Sequence, residues 1–228
     1  RDLQKALRHL VEQIRLSLLP AAPFSFEAPP KREIALQRKI ERERTKCFVG
    51  GTSRDEVKFW ESYLSDFSFM QQAEDYQRLA SDIAEMIAPF GDSLVLLDAG
   101  CGAGNLTFFF LGHQYPLSQY IGIDFAHGAL LRARGIARAM EHRRENQESA
   151  HGRSSIFLQG NLDSPLPLQP STVDRIVCNL VLSYVSDPLA TLREFARVLK
   201  PGGRVVISTL KSNADCSQIY RNFSAHAQ

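Results

Sequence analysis

Hydrophobic positions in the middle of the chain fall into short unbroken runs, each ending in an acid, a glycine or a polar residue. Val95-Leu-Leu-Asp98-Ala and Gln119-Tyr-Ile-Gly-Ile-Asp124 predict two short apolar strands, and Arg204 to Thr209 predicts a further one near the C-terminal end. Longer segments between them follow helical spacing. One helix is expected to start near Asn105, and another, from Leu189 to Leu199, follows Asp187-Pro188 and ends at Lys200-Pro-Gly-Gly203. Upstream, a helical pattern runs from Glu56 through Trp60, Tyr63 and Tyr76 to Ala88 and stops at Pro89-Phe-Gly91. Further upstream, Leu3, Leu7, Leu10, Val11, Ile14 and Leu18 give one apolar stripe. Prolines break the chain over residues 20–30, and residues 31–46 predict a highly charged helix.

The first strand leads into Asp98-Ala99-Gly100-Cys101-Gly102-Ala103-Gly104, with glycines at alternate positions. Glycine admits backbone angles closed to other residues and lets a ligand touch the main chain. A dinucleotide fingerprint, G-x-G-x-x-G, fails here because its last position is Asn105. Asp98 points the same way: a carboxylate at the mouth of the loop repels a pyrophosphate but suits an ammonium or a sulfonium. Asp124, 20 residues beyond Gly104, ends the second strand, where a carboxylate can accept hydrogen bonds from both hydroxyls of a ribose. A glycine-rich turn that only packs a helix on a strand is the alternative reading of the loop.

On these residues the chain resembles the class I S-adenosylmethionine-dependent methyltransferases. The acid-x-G-x-G-x-G loop matches their first motif and Asp124 their ribose-binding acid. Ile156-Phe-Leu-Gln159 with Gly160-Asn161-Leu162-Asp163 resembles the third strand and the adenine-binding loop, with Asn161 where the family usually has an acid and Asp163 as a substitute if the register shifts by two. Val173-Asp-Arg-Ile-Val-Cys178 with Asn179-Leu180, Ser183 and Tyr184 resembles the fourth strand and the segment facing the transferred methyl. The resemblance covers residues 58 to 210. It implies a Rossmann-like, doubly wound, mainly parallel α/β sheet of order 3-2-1-4-5, with an α-helical N-terminal extension.

The resemblance also implies the site. Asp98, Ala99, Gly100, Cys101, Gly102 and Gly104 would seat the methionine portion of S-adenosylmethionine. Asp124 would hold the ribose, Phe125 would pack on the adenine, and Asn161 with Leu162 would fix its edge. Asn179 and Leu180 would lie beside the methyl group, and Tyr184 is a pocket candidate. The product would be S-adenosylhomocysteine. Transfer would be an in-line displacement by a small-molecule acceptor, a reaction in which the enzyme mainly aligns the partners and excludes water. No general base is assignable, since relatives often show a histidine where Ser183 and Tyr184 stand. Helices before the first motif cap the cofactor in such proteins, so Trp60, Tyr63 and Tyr76 either line the pocket or are core aromatics.

The 228 residues, 44% hydrophobic, can bury a sizeable core. Net charge is +2, but residues 1–46 carry 11 basic against 6 acidic side chains, a net of +5 that leaves −3 for the rest. That distribution predicts no nucleic-acid surface, and no N-P-P-Y-type tetrad follows the fourth strand. Arg132, Arg134, Arg138, Arg143 and Arg144, interleaved with Glu141, Glu145 and Glu148, read as a solvated helix face. Cys47, Cys101, Cys178 and Cys216 lack metal-ligand or paired spacing and suggest a reducing, cytoplasmic compartment. No metal site and no membrane span are expected.

Two parts are expected: a helical extension over 1–50 and a cofactor-binding domain over 51–228 that is C-terminally incomplete. The latter expectation comes from the family's two further strands, for which the 19 residues after Thr209 leave too little chain. The stripe on 1–19 would dock on the domain or bind a partner or second copy, and an uncovered fifth-strand edge would invite a partner too. The competing functions are a non-catalytic, methyltransferase-like protein that binds cofactor or a partner, and, disfavoured by Asn105 and Asp98, a nucleotide-dependent oxidoreductase.

Overall fold

The structure is a computed structural model, and it describes residues 54–67, 71, 73–145 and 154–209. The expected helices over 1–19 and 31–46, the proline-rich break, the domain division near residue 50 and the polar C-terminal segment lie outside the described residues. Five parallel strands form the sheet: β1 (Val95–Ala99), β2 (Gln119–Asp124), β3 (Ser154–Gln159), β4 (Val173–Asn179) and β5 (Leu199–Ser208). Their order is β3-β2-β1-β4-β5, the doubly wound arrangement expected. Among the described residues, β3 and β5 are the sheet's edges.

The helices are α1 (Arg54–Phe67), α2 (Glu74–Ile87), α3 (Asn105–Gly112), α4 (His127–Glu145) and α5 (Pro188–Val198). Alternation along the central strands feeds two cores. Leu96 and Tyr120 face the α2, α3 and α4 side, among Ile83, Phe109, Phe110 and Ala133. Leu97, Ala99, Ile121 and Ile123 face the other side, with Phe195 and Val198 of α5. The central strands β1 and β2 are therefore buried on both faces, which is why they read as apolar runs, whereas the edge strands β3 and β5 are only partly buried.

Local chemistry explains the helix ends. Asp187 Oδ1 accepts from the amides of Leu189 and Ala190 (3.1 and 3.0 Å), with Pro188 at the first helical position. At the other end of the domain, Arg175 Nε donates to the Ile87 carbonyl (2.6 Å), and Arg204 donates to that of Ala88. The last carbonyls of α2 are thus satisfied from β4 and β5.

Two expected boundaries shift. The helical pattern over 56–88 is two helices, and the second opens with Glu74 and Asp75, acids placed where the positive end of a helix favours them. The fifth strand begins at Leu199 rather than Arg204. Leu199 pairs with Val173 and Arg204 with Arg175, so the chain between them bulges at Pro201-Gly202-Gly203. Gly202 takes φ +77°, which a bulge of this kind requires.

Candidate functional site

The carboxyl ends of β1, β2 and β4 converge on the glycine loop. Gly100, Gly102 and Gly104 have φ of +80°, +52° and +93°, angles that side chains with a Cβ rarely adopt. A Cβ on Gly104 would stand 2.8 Å from the Ala133 Cα, and one on Gly100 would stand 2.5 Å from Val181 Cγ2. The loop is tied to β2, with the amides of Gly100 and Cys101 both donating to the Ile123 carbonyl (2.7 and 3.0 Å).

Two acids flank the loop. Asp98 is buried, and its Oδ2 accepts from the Tyr120 hydroxyl, which in turn receives the Thr107 hydroxyl at 3.1 Å. Burial pushes the Asp98 carboxyl up to about 7; the Tyr120 hydrogen bond opposes this and the charge of Asp124 adds to it. Asp124 Oδ2 accepts from the Gly102 amide and Oδ1 from the Ala126 amide, both at 2.9 Å. Its carboxyl is also raised by burial, against the pull of those amides. Among the described residues, no lysine or arginine forms an ion pair with either acid.

The other expected site residues divide into groups. Ala99 and Leu162 belong to the core on the α5 side, so only their backbones can meet a ligand. Cys101 is buried on the opposite side, and burial first, then Asp98 and Asp124, push its thiol far up. Buried Cys178 behaves alike, with a thiol raised to about 12. Neither thiol is a nucleophile at neutral pH.

Asn179 Nδ2 donates to the Tyr76 hydroxyl (2.9 Å), and its Oδ1 accepts from the Ser208 hydroxyl. Leu180 has φ +59°, a conformation costing about 1–3 kcal/mol in a non-glycine residue and concentrated at functional sites. Its amide donates to the Ser208 carbonyl at 3.0 Å.

The loop after β3 is more self-contained. Asn161 Oδ1 accepts from the Asp163 amide (3.0 Å), and Asp163 Oδ1 accepts from the Ser186 amide (2.7 Å). Asp163 therefore ties this loop to the segment after β4.

Several contributors were not singled out by the sequence. Tyr120 looks like one more apolar strand residue, yet its hydroxyl holds Asp98. Val181 covers Gly100, and Leu64 of α1 covers Gly102, with its Cδ2 3.0 Å from the position of an added Cβ. Glu61 Oε1 accepts from the Gly128 amide at the start of α4 (3.1 Å), and the Glu61 carbonyl accepts from Arg132 (3.1 Å). Arg132 is thus engaged with α1 and Arg134 donates to the Phe157 carbonyl of β3 (3.3 Å), while Arg138 and Arg143 are exposed. Tyr76 is core: burial raises its hydroxyl, with Asp98 nearby. Trp60, Phe125 and Tyr184 are half-buried and in ring contact.

A family model for the methyltransferase domain matches residues 91–227. The chain belongs to that family. With the observed strand order, the fold is that of the class I S-adenosylmethionine-dependent methyltransferases. A demethylmenaquinone methyltransferase of Lactococcus lactis is 32% identical over 151 residues, which cover 65% of this chain and 56% of that protein. A malonyl-[acyl-carrier protein] O-methyltransferase of Erwinia pyrifoliae is 32% identical over 143 residues, 63% of this chain and 47% of the other. The chain therefore spans about half the length of these relatives. The solved structure of a candidate S-adenosylmethionine-dependent methyltransferase from Methanococcus maripaludis superposes with a TM-score of 0.53 at 21% identity. It covers 78% of this chain and 71% of the other, a likeness of fold. Among the described residues, no helix of this methyltransferase domain is long and apolar enough to cross a membrane, and no cluster of acids, histidines and cysteines could hold a metal.

Proposed function

We propose that this domain binds S-adenosylmethionine at the glycine loop and methylates a small-molecule acceptor. The observation that carries the reading is the pair of buried acids, Asp98 and Asp124, beside a positive-φ glycine loop, with no cationic side chain of the described residues paired to either. Such a site is poorly suited to a phosphate. It suits a ligand that brings its own positive charge.

S-adenosylmethionine supplies a methyl group on a sulfonium, electrophilic enough to be displaced in line. The chain's part is to bind and align. Gly100 and Gly102 give the loop its positive-φ turn and let Val181 and Leu64 pack directly on it, and Asp98 neutralises the ammonium of the methionine portion. Asp124 accepts from the ribose through the lone pairs that the Gly102 and Ala126 amides leave. Phe125 packs on the adenine, and Asn161 and Leu162 meet its edge. Asn179 and Leu180 border the methyl, and Leu64 and Val181 roof the loop against water. The name of the demethylmenaquinone methyltransferase supports a small acceptor.

Calorimetric titration of the full chain with S-adenosylmethionine, S-adenosylhomocysteine and NAD tests the proposal. Saturable binding of the first two and none of NAD is expected. Binding of NAD alone overturns it. Cofactor binding without methyl transfer to any acceptor would favour the non-catalytic alternative.

A further inference from the structure

Among the described residues, two groups of aromatic side chains stand apart. Phe90, Phe109, Phe110 and Tyr115 pack in or against the core beside α2 and α3. Phe59, Trp60, Tyr63, Phe125 and Tyr184 belong to neither core. All five are half-buried, and they come from three places: α1, the turn after β2 and the short 3₁₀ turn Leu182–Tyr184 after β4.

Trp60 stands at the centre of the second group. Its centroid lies 4.7 Å from Tyr184, 5.5 Å from Tyr63 and 6.5 Å from Phe125, with interplanar angles of 79°, 88° and 86°. With Phe59 5.3 Å from Trp60 at 75°, all four neighbours meet the indole edge to face, the packing that aromatic rings prefer. The cluster adjoins the glycine loop: Phe125 follows Asp124 directly, and Leu64, on the same helix as Trp60, covers Gly102.

We propose that the acceptor is an apolar molecule with a planar ring, and that Trp60 is the side chain that selects it. The inference rests on the methyltransferase reading above and specifies its substrate class. The rings that would meet the acceptor carry no charge. The carboxylate nearest Trp60 in sequence, Glu61, already accepts from the Gly128 amide. An ammonium acceptor is also drawn to aromatic faces, but it would sit beside a cationic methyl donor and be repelled. Among the described residues, the cation against this part of α1, Arg132, is engaged with the Glu61 carbonyl, and the rings themselves offer a small carboxylate no charge.

The test uses the full chain saturated with S-adenosylhomocysteine, titrated calorimetrically with 2-naphthol, choline and tricarballylate. Saturable binding of 2-naphthol, with neither of the others binding as tightly, is expected. Trp60→Ala should weaken 2-naphthol by about tenfold and Trp60→Phe by no more than about threefold, the scale of an aromatic pair. S-adenosylhomocysteine affinity should stay within about threefold in both. Should Trp60→Ala fail to fold, Tyr184→Ala reads the same cluster from its other wall and should weaken 2-naphthol at least threefold. Tighter binding of choline or tricarballylate, or unchanged 2-naphthol affinity in the variants that fold, overturns the inference. Failure of S-adenosylhomocysteine itself to bind would instead sink the methyltransferase reading.

Discussion

The Tyr120 hydroxyl on β2 donates to the buried carboxylate of Asp98 on β1, 22 residues away in the chain. The parallel register sets Leu96 opposite Tyr120 and Asp98 opposite Gly122. The tyrosine side chain therefore reaches along the sheet to the acid at the mouth of the loop. Its oxygen also receives the Thr107 hydroxyl from α3. Two strands and a helix thus share one buried polar contact.

Tyr120→Phe removes that donor and leaves the Thr107 hydroxyl without this acceptor. Because the hydrogen bond favours the ionised acid, its loss should push the Asp98 carboxyl higher still. The variant should be less stable by roughly 1–3 kcal/mol in chemical denaturation. Its affinity for S-adenosylmethionine at pH 7 should fall, with the loss recovered at higher pH. A pH profile coincident with that of the wild type would show that Tyr120 does not tune the acid.

The titration of Asp98 itself has a definite sign. With its carboxyl near 7, the ligand-free fold holds a proton that the unfolded chain, with an ordinary carboxyl near 3.8, has released. Stability from this group is thus fully present below about pH 4 and is lost as pH rises through about 7. A cationic ligand needs the ionised form. S-adenosylmethionine affinity should therefore climb as pH rises towards 7 and level off above it. Binding near pH 6.5 should release protons, measurable by calorimetry in buffers of different ionisation enthalpy. Proton uptake, or a flat profile from pH 5.5 to 8, would contradict the assignment.

The two strand-ending acids and the glycine loop were legible in the sequence because every residue involved is local. An apolar run, an acid and alternate glycines need no partner from elsewhere to be recognised. Sheet order followed from the family resemblance, and the central strands β1 and β2 announced themselves as apolar runs, whereas β4 carries Asp174 and Arg175. What the sequence could not show is pairing across the fold. Tyr120 is indistinguishable from a core residue until β1 and β2 are side by side, and Leu64 and Val181 become neighbours of the loop only through tertiary packing. The break before Glu74 was hidden because helical spacing continues across it. The start of β5 was hidden by a Pro-Gly-Gly sequence that ordinarily ends pairing.

Glycine substitutions distinguish the loop from the rest of the chain. Gly104→Ala forces a Cβ to within 2.8 Å of the α4 backbone at Ala133, at a φ of +93°. It should cost about 2–4 kcal/mol, read as a Tm lower by roughly 5–10 °C. Gly135 lies in α4 with open space around it. Gly135→Ala should stabilise by about 0.5–1 kcal/mol, since alanine is the better helix former. A reversed order would mean that these local conformations are wrong.

Asp124 has two tasks, and its variants should separate them. The carboxylate holds the Gly102 and Ala126 amides now, and in the proposed complex it also accepts from the ribose. Asp124→Asn keeps one carbonyl-type oxygen, so it preserves part of the loop anchoring while losing the charge that makes a diol contact strong. Asp124→Ala loses both tasks. Stability should therefore fall by about 1–3 kcal/mol in the alanine variant and by less in the asparagine variant. Affinity for S-adenosylhomocysteine, which keeps the ribose but lacks the sulfonium, should drop about tenfold or more in both. Equal stability losses with unchanged affinity would make Asp124 a structural clamp on the loop, leaving the ribose to another residue.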